Sequence, residues 1–243
     1  MKKFIKKIIC AFGYSIVKKN NFYYGLKKFD FEIILDIGAN NDESSGNFLK
    51  IFKRANIYAF EPNNNHLTRL EALKKISKGR FNYYISGVGS RSGSASLKVH
   101  INHDASSSFL NLSVVGAKAL QSFTKMNLED QGIMNSKIIT LNEFFKDIDY
   151  KNKRILLKSD TQGYEMEVLR GAENIIEHIS VVQIELDFIN FYNNQSSAED
   201  IIFFLYQKNF SLRGFTYPPG LNEFGEILSS DFIFYNNRIN FGL

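Results

Sequence analysis

Cysteine is nearly absent from this 243-residue chain, which carries one, Cys10. A single thiol excludes an internal disulfide and any zinc site built on several cysteines, and it fits a reducing, cytoplasmic compartment. The four histidines are unremarkable in a chain this long. Charge of one sign is also scarce: 30 basic against 25 acidic residues leaves a net +5. Much of that excess sits in the first 28 residues, at Lys2, Lys3, Lys6, Lys7, Lys18, Lys19, Lys27 and Lys28. The remainder is near neutral, so no nucleic-acid partner is expected. Long apolar runs are missing too. The stretch Ile8 to Val17 is far too short to span a bilayer and lacks a small-x-small cleavage site. Internal repeats and long low-complexity linkers are absent.

What remains is enough for a core, with 44% hydrophobic residues, and the division expected is a basic amphipathic segment at 1–30 and one domain at 31–243. Phe4, Ile5, Ile8, Ile9, Phe12 and Ile16 share one helical face with lysines largely opposite. Two readings of that segment stand: a helix packed on the domain, or a basic helix making peripheral contact with an anionic membrane.

The chain is organised around Ile33-Ile34-Leu35-Asp36-Ile37-Gly38-Ala39-Asn40. A β-branched apolar run of this length reads as a strand buried on both faces of a parallel sheet. Gly38 lets the backbone turn sharply and approach a ligand. Phe48, Leu49, Ile51 and Phe52 then follow at helical spacing. Strand, glycine turn and helix form the first unit of a nucleotide-binding α/β fold. The second strand, Asn56 to Phe60, ends in Glu61, where a carboxylate suits a ribose diol.

Further along, a helix is expected over Leu67 to Ile76, a strand over Phe81 to Ile85, and a half-buried strand over Ser94 to Ile101. Residues 109–135 have weak periodicity and read as loop with a short helix. A strand over Lys137 to Thr140 precedes a helix from Leu141 to Phe145, with Thr140 and Glu143 spaced as a capping box. Arg154 to Asp160 and Val181 to Glu185 read as buried strands that end in acids, with a helix over Tyr164 to Ile176 between them. After a helix at Ser197 to Tyr206, the segments Phe210 to Phe215 and Phe232 to Tyr235 would close the sheet as an antiparallel pair. Alternating strands and helices predict a Rossmann-like three-layer α/β sandwich, mostly parallel.

Asp36-Ile37-Gly38-Ala39-Asn40, Phe60-Glu61-Pro62, Ile139-Thr140-Leu141, Lys158-Ser159-Asp160-Thr161-Gln162-Gly163-Tyr164-Glu165, Val168-Leu169-Arg170-Gly171-Ala172 and Val182-Gln183-Ile184-Glu185 occur in that order. Together they resemble the FkbM-type methyltransferases, a family of S-adenosylmethionine-dependent O-methyltransferases with a class I methyltransferase fold. The resemblance spans roughly residues 33–187, and its most specific block is the one around Asp160. It implies S-adenosylmethionine as cofactor and a hydroxyl acceptor, a small molecule or a glycan, on a sugar of a surface polysaccharide or glycolipid. Residues 31–243 would be the methyltransferase domain. Two positions depart from the family. Asp42 stands where a second glycine is usual, and Asp tolerates the left-handed backbone region better than most residues. Ser86 stands where Ala is frequent.

On this reading Glu61 holds the cofactor ribose; the alternative is a helix N-terminal charge satisfied by backbone amides. Asp36 orders the glycine loop or meets the methionine amine, Gly38 and Asn40 line the cofactor through their backbone, and Ser86 and Val88 flank the adenine. Asp160 and Glu185 end neighbouring strands. Together they can bind a divalent cation such as magnesium that acidifies a hydroxyl. Asp187 adds a third ligand only if the chain leaves the strand there. Alternatively Asp160 acts alone as general base, or Asp160 and Glu165 only cap the following helix. His103, Asp104, Ser107, Ser108 and the Tyr217-Pro218-Pro219-Gly220 turn are candidates for acceptor contact.

Two other functions compete. A nicotinamide-dependent oxidoreductase fits the fold, but Asp-x-Gly-Ala-Asn lacks the closely spaced glycines that accommodate a pyrophosphate. A non-catalytic binding module is suggested by Asp42 and opposed by acids at every strand tip.

Overall fold

The computed structural model of the chain describes residues 26–41, 43–100, 104–124, 131–216, 220–221 and 225–241. The amphipathic segment Phe4 to Ile16 and the substituted loop position Asp42 lie outside the described residues. Among those described, no helix is long and apolar enough to cross a membrane.

Strand β1 (Ile33–Ile37) is buried at all five positions, as its unbroken apolar run predicts. Helix α1 (Glu43–Ile51), β2 (Asn56–Phe60), α2 (Leu67–Ile76) and β3 (Phe81–Tyr84) complete the first half of the main sheet. Strands β4 (Gly87–Val88) and β5 (Gly93–His100), helix α3 (Val114–Thr124) and strand β6 (Gln131–Ile139) follow, and β4, β5 and β6 form a separate three-stranded sheet in the order β4-β6-β5. Helix α4 (Leu141–Phe144), β7 (Ile155–Ser159), α5 (Glu165–Gly171), β8 (Val181–Asp187) and α6 (Ala198–Gln207) return to the main sheet, which ends with β9 (Phe210–Phe215), β10 (Gly220–Leu221) and β11 (Ile227–Asn236).

The main sheet runs β10-β11-β8-β7-β1-β2-β3, with β9 also paired to β11. Strands β8, β7, β1, β2 and β3 are parallel, and β11 is antiparallel to both β8 and β9. This is the expected mostly parallel sandwich with antiparallel C-terminal strands. Alternate residues along each strand feed two cores. Leu35, Leu157, Ile184 and Phe232 face α4, α5 and α6, whereas Ile34, Leu156 and Ile57 face α1 and α2. Leu26 and Phe29 join the second core, and the Phe29 ring meets Tyr235 edge-on at 5.1 Å.

Three local expectations are corrected. Residues 109–135, expected as loop with a short helix, hold an 11-residue helix and the start of a nine-residue strand. Their pattern misleads because β6 exposes Ile133 (76%) and buries Ser136, whose hydroxyl donates to the Pro62 carbonyl at 2.9 Å. The helix expected to reach Ile176 ends at Gly171, and Ile176–His178 is a separate 3-10 turn. A Cβ at residue 171 would lie 2.1 Å from the Gly89 carbonyl oxygen, so helix α5 and the β4 strand end meet backbone to backbone. Thr140 caps α4 by accepting from the Glu143 amide at 3.0 Å, but the Glu143 carboxylate turns away to accept from Ser92, so only half of the capping box forms.

Candidate active site

The carboxyl ends of β1, β2, β7 and β8 meet at a cleft whose space, counted out to open solvent, is about 750 Å³. One wall is the turn after β1. Gly38 has φ +76° and Asn40 φ +47°, so the chain passes through the left-handed region twice within three residues. The Gly38 and Ala39 amides both donate to the Phe60 carbonyl, at 3.0 and 3.2 Å. Glu61, at the tip of β2, clasps this turn: its carboxylate accepts from the Asn40 amide at 2.7 Å and from the Asn63 amide at 2.8 Å. Burial pushes the Glu61 pKa up to about 7 even though both amides favour the anion. Glu61 lines the cleft together with Gly38, Asn40 and Val88. Its amide partners lie in the loops after β1 and β2 and not in a helix, so the helix N-terminal alternative does not describe it.

Asp36 and Ser86 are placed differently. The Asp36 side chain is fully buried and does not line the cleft, because the strand period points it into the α1 layer. One of its oxygens accepts from the hydroxyls of Ser44 and Ser45, each at 2.6 Å, at the start of α1. Asp36 thus ties β1 to the first turn of α1. Ser86 is tucked inside where the chain passes from β3 to β4, and Gly87 and Val88 form the wall in its place. Its hydroxyl has no hydrogen-bond partner among the described residues.

The opposite wall carries the acids. Asp160 and Glu185 both line the cleft, and the Gln162 amide nitrogen donates to Asp160 Oδ1 and to Glu185 Oε2, each at 2.9 Å. Gln162 adopts φ +56°, an uncommon conformation for a side-chain-bearing residue, and Gly163 follows at +90°. Tyr192 orients the amide by donating toward Gln162 Oε1 at 3.1 Å. Burial and the surrounding carboxylates push the Tyr192 pKa well up, so the hydroxyl stays a donor. Behind Asp160 lies Lys158, 5% exposed in the middle of β7. Its Nζ sits 3.2 Å from Asp160 Oδ2, 3.5 Å from Asp36 Oδ1 and 3.2 Å from the Gly38 carbonyl.

Burial acts to raise the Asp160 pKa, but the Lys158 charge and the donated hydrogen bonds outweigh it and hold the group below its ordinary value. Glu185 moves the other way: burial first, then the neighbouring charges of Asp160 and Asp187, push it well above the carboxylate range. The Lys158 ammonium thus favours the anion at Asp160, whereas burial and like charge favour the neutral form at Glu185.

The pair does not fit a divalent cation. A donor amide bridges the two carboxylates, and Lys158 already supplies the positive charge. Asp187 remains within β8, outside the cleft, with burial raising its pKa to about 8. Among the described residues no group of three or more His, Cys, Asp or Glu is placed to hold a metal. Neither Asp160 nor Glu165 caps the following helix, whose start has no side-chain cap: the Glu165 carboxylate accepts from the Thr161 amide at 2.7 Å and the Thr161 hydroxyl at 3.0 Å, in the loop before it, and Asp160 faces the cleft.

Of the acceptor candidates, Ser107 and Ser108 line the cleft, and the Ser108 hydroxyl is spent on the Gln162 carbonyl at 2.6 Å. Asp104 opens a 3-10 turn, whereas His103 and Tyr217 to Pro219 lie outside the described residues. The sequence reading missed Lys158, Gln162, Tyr192, Phe109 and Tyr164. A lysine in the middle of an otherwise apolar strand, two residues before a terminal Asp, was the available signal for the first; Tyr192 gave none.

A family model described as the methyltransferase FkbM domain matches residues 36–213. The chain belongs to the FkbM methyltransferase family. Among solved structures, the FkbM methyltransferase of Methylobacillus flagellatus KT is similar at a TM-score of 0.52 and 15% identity, over 90% of this chain and 48% of that one. This FkbM chain therefore spans about half the length of that relative. Precorrin-6y C5,15-methyltransferase of Geobacter metallireducens GS-15 gives 0.46 at 13% identity, over 90% and 89% of the two chains. SMU.1697c of Streptococcus mutans, in complex with S-adenosylhomocysteine, gives 0.47 at 11%, over 90% and 98%. At such identities the likeness concerns the fold alone. No curated protein matches the sequence.

Proposed function

We propose that this FkbM-family protein transfers a methyl group from S-adenosylmethionine to a hydroxyl oxygen, on a sugar of a surface glycan or glycolipid. The observation that carries the reading is the division of the cleft: a backbone turn clasped by Glu61 on one wall, and on the other Asp160 and Glu185 bridged by the Gln162 amide, with Lys158 beside Asp160. Bound S-adenosylmethionine supplies an electrophilic methyl on a sulfonium, so alignment of the acceptor oxygen accounts for much of the rate.

The residues divide the remaining work. Glu61 accepts from the ribose hydroxyls, and the Gly38 to Asn40 turn brings bare backbone against the cofactor. Asp160, kept anionic by Lys158, accepts a hydrogen bond from the acceptor hydroxyl and takes its proton as the new C–O bond forms. Glu185, protonated, donates to the same oxygen or to Asp160 and fixes its direction. Phe109 and Tyr164, with ring centroids 5.3 Å apart on the cleft wall, offer apolar faces to the C–H side of a sugar ring. No step runs through a metal.

Calorimetric titration with S-adenosylmethionine and S-adenosylhomocysteine, against a nicotinamide dinucleotide control, tests the reading. Micromolar binding of the sulfonium pair alone supports it and justifies a screen of sugar acceptors. Absence of that binding in a folded sample, or preference for the dinucleotide, sinks it.

A further inference from the structure

The turn that presents Asn40 to the cleft presents Asn41 to a second concavity, a groove between α1 and α2. Its lining is basic: Lys50, Lys53, Arg69 and Arg80, against the single carboxylate of Glu43. Arg80 is committed to the fold, donating to the carbonyls of Leu49, Phe52 and Ala55 at the end of α1. The other three are exposed. Just past the groove, the last turn of α2 and the residues after it add Lys74, Lys75 and Lys78, also exposed. In their midst Ile76 is 74% exposed, an aliphatic side chain held in water with cations on both sides along the chain. The acids of this layer are few and partly engaged, since Asp30 pairs with Arg54 at 2.6 Å.

The same layer receives the turn Leu26–Lys28. Leu26, in the 3-10 turn Leu26–Lys28, shares a core with Phe48 and Leu49 of α1, so Lys27 and Lys28 approach the domain on the α1–α2 side.

We propose that the α1–α2 face is a docking surface for an anionic lipid membrane, with the cations of the groove and of the α2 end meeting phosphate headgroups and Ile76 entering the interface. A membrane is favoured over nucleic acid for two reasons. The exposed non-polar side chain at the centre of the patch is aliphatic, suited to the acyl boundary. The groove lining also offers no aromatic ring on which a base could stack. Lysine-rich surfaces gain about fivefold in affinity per cation brought to an anionic leaflet. This docking does not depend on the reaction at the cleft, although it sets the cofactor loop beside the bilayer.

The test is co-sedimentation of the full chain with vesicles of phosphatidylcholine alone and of phosphatidylcholine mixed with phosphatidylglycerol. Binding is expected to the mixed vesicles only, falling with added salt. The combined change Lys74→Glu, Lys75→Glu and Lys78→Glu should lower it at least tenfold without lowering the melting temperature. Ile76→Ser should weaken it severalfold and leave the salt dependence unchanged. Two controls keep the surface assignment sharp: Lys2→Glu with Lys3→Glu, Lys6→Glu and Lys7→Glu, and a duplex DNA competitor. Binding abolished by the N-terminal changes and untouched by those on α2 would overturn the proposal. So would tight DNA binding with no vesicle binding.

Discussion

A Cβ added to Gly38 would sit 1.9 Å from the carbonyl oxygen of Asp160. The turn after the first strand and the tip of the seventh therefore touch through bare backbone, and the two walls of the cleft meet there. Gly38→Ala must separate them, and its φ of +76° adds strain for any side chain. The expected outcome is a loss of a few kcal/mol in urea unfolding and of detectable S-adenosylhomocysteine binding by calorimetry. Wild-type affinity in this variant would refute the shared-wall geometry.

Glu61 predicts a pH dependence with a definite sign. Its pKa in the ligand-free protein is about 7, above the ordinary 4.5, as is that of Glu165. A raised folded pKa contributes stability that is complete below the unfolded value and lost as pH rises through the folded one. The ligand-free protein should therefore melt at a lower temperature at pH 8 than at pH 5.5, and Glu61→Gln should shrink that difference. Ribose hydroxyls donate to the anion, so cofactor affinity should rise with pH and level off above about 7, with protons released on binding below it. Calorimetry in buffers of different ionisation enthalpy measures that release; a flat pH profile would remove Glu61 from the ribose site.

Lys158 lies between two carboxylates, Asp36 and Asp160, in a nearly inaccessible position. Lys158→Met keeps the bulk and deletes the charge, leaving Asp36 and Asp160 uncompensated. Breaking a buried pair in this way costs about 3–5 kcal/mol. The loss should be largest at neutral pH and should diminish on acidification, as Asp160 takes up the proton that the ammonium had kept off. Denaturant unfolding at two pH values checks both statements, and an equal loss at each would show a packing effect instead.

Asp160 and Glu185 should respond unequally to the same chemical change. Burial and the neighbouring carboxylates favour the neutral form of Glu185, and Glu185→Gln mimics that form. Asp160→Asn removes the acceptor of the hydroxyl proton. With any acceptor found in the sugar screen, methyl transfer should fall less than about tenfold in the first and about a hundredfold or more in the second. Equal losses would mean that the pair is symmetrical.

The main architecture was legible because the relevant signals are local. Apolar runs at residues 33–37, 155–159 and 181–184 need both faces covered, and only a parallel sheet between helices provides that. The glycine turn and the Glu61 tip were readable for the same reason. The side sheet was obscure. The second strand of its antiparallel pair is half exposed, with Ile133 in water and Ser136 buried, which inverts the pattern that sequence reading relies on. The bounds of helix α3 were not readable because what fixes it is remote: a Cβ on Gly116 would lie 2.0 Å from the Phe191 carbonyl oxygen, a contact across 75 residues.

The sequence by itself determined the strand-tip carboxylates and their order, since the residue types and the period-two pattern of each strand are properties of the chain. Tertiary structure alone decided what each carboxylate does. Asp36, Lys158 and Gln183 lie opposite one another across β1, β7 and β8, as do Glu185 and Asp231 across β8 and β11. That register puts one buried ammonium beside Asp36 and Asp160 and leaves Glu185 among carboxylates. Charge state follows from distance and burial, so two acids that look equivalent in sequence are pushed in opposite directions, Asp160 toward the anion and Glu185 toward the neutral form.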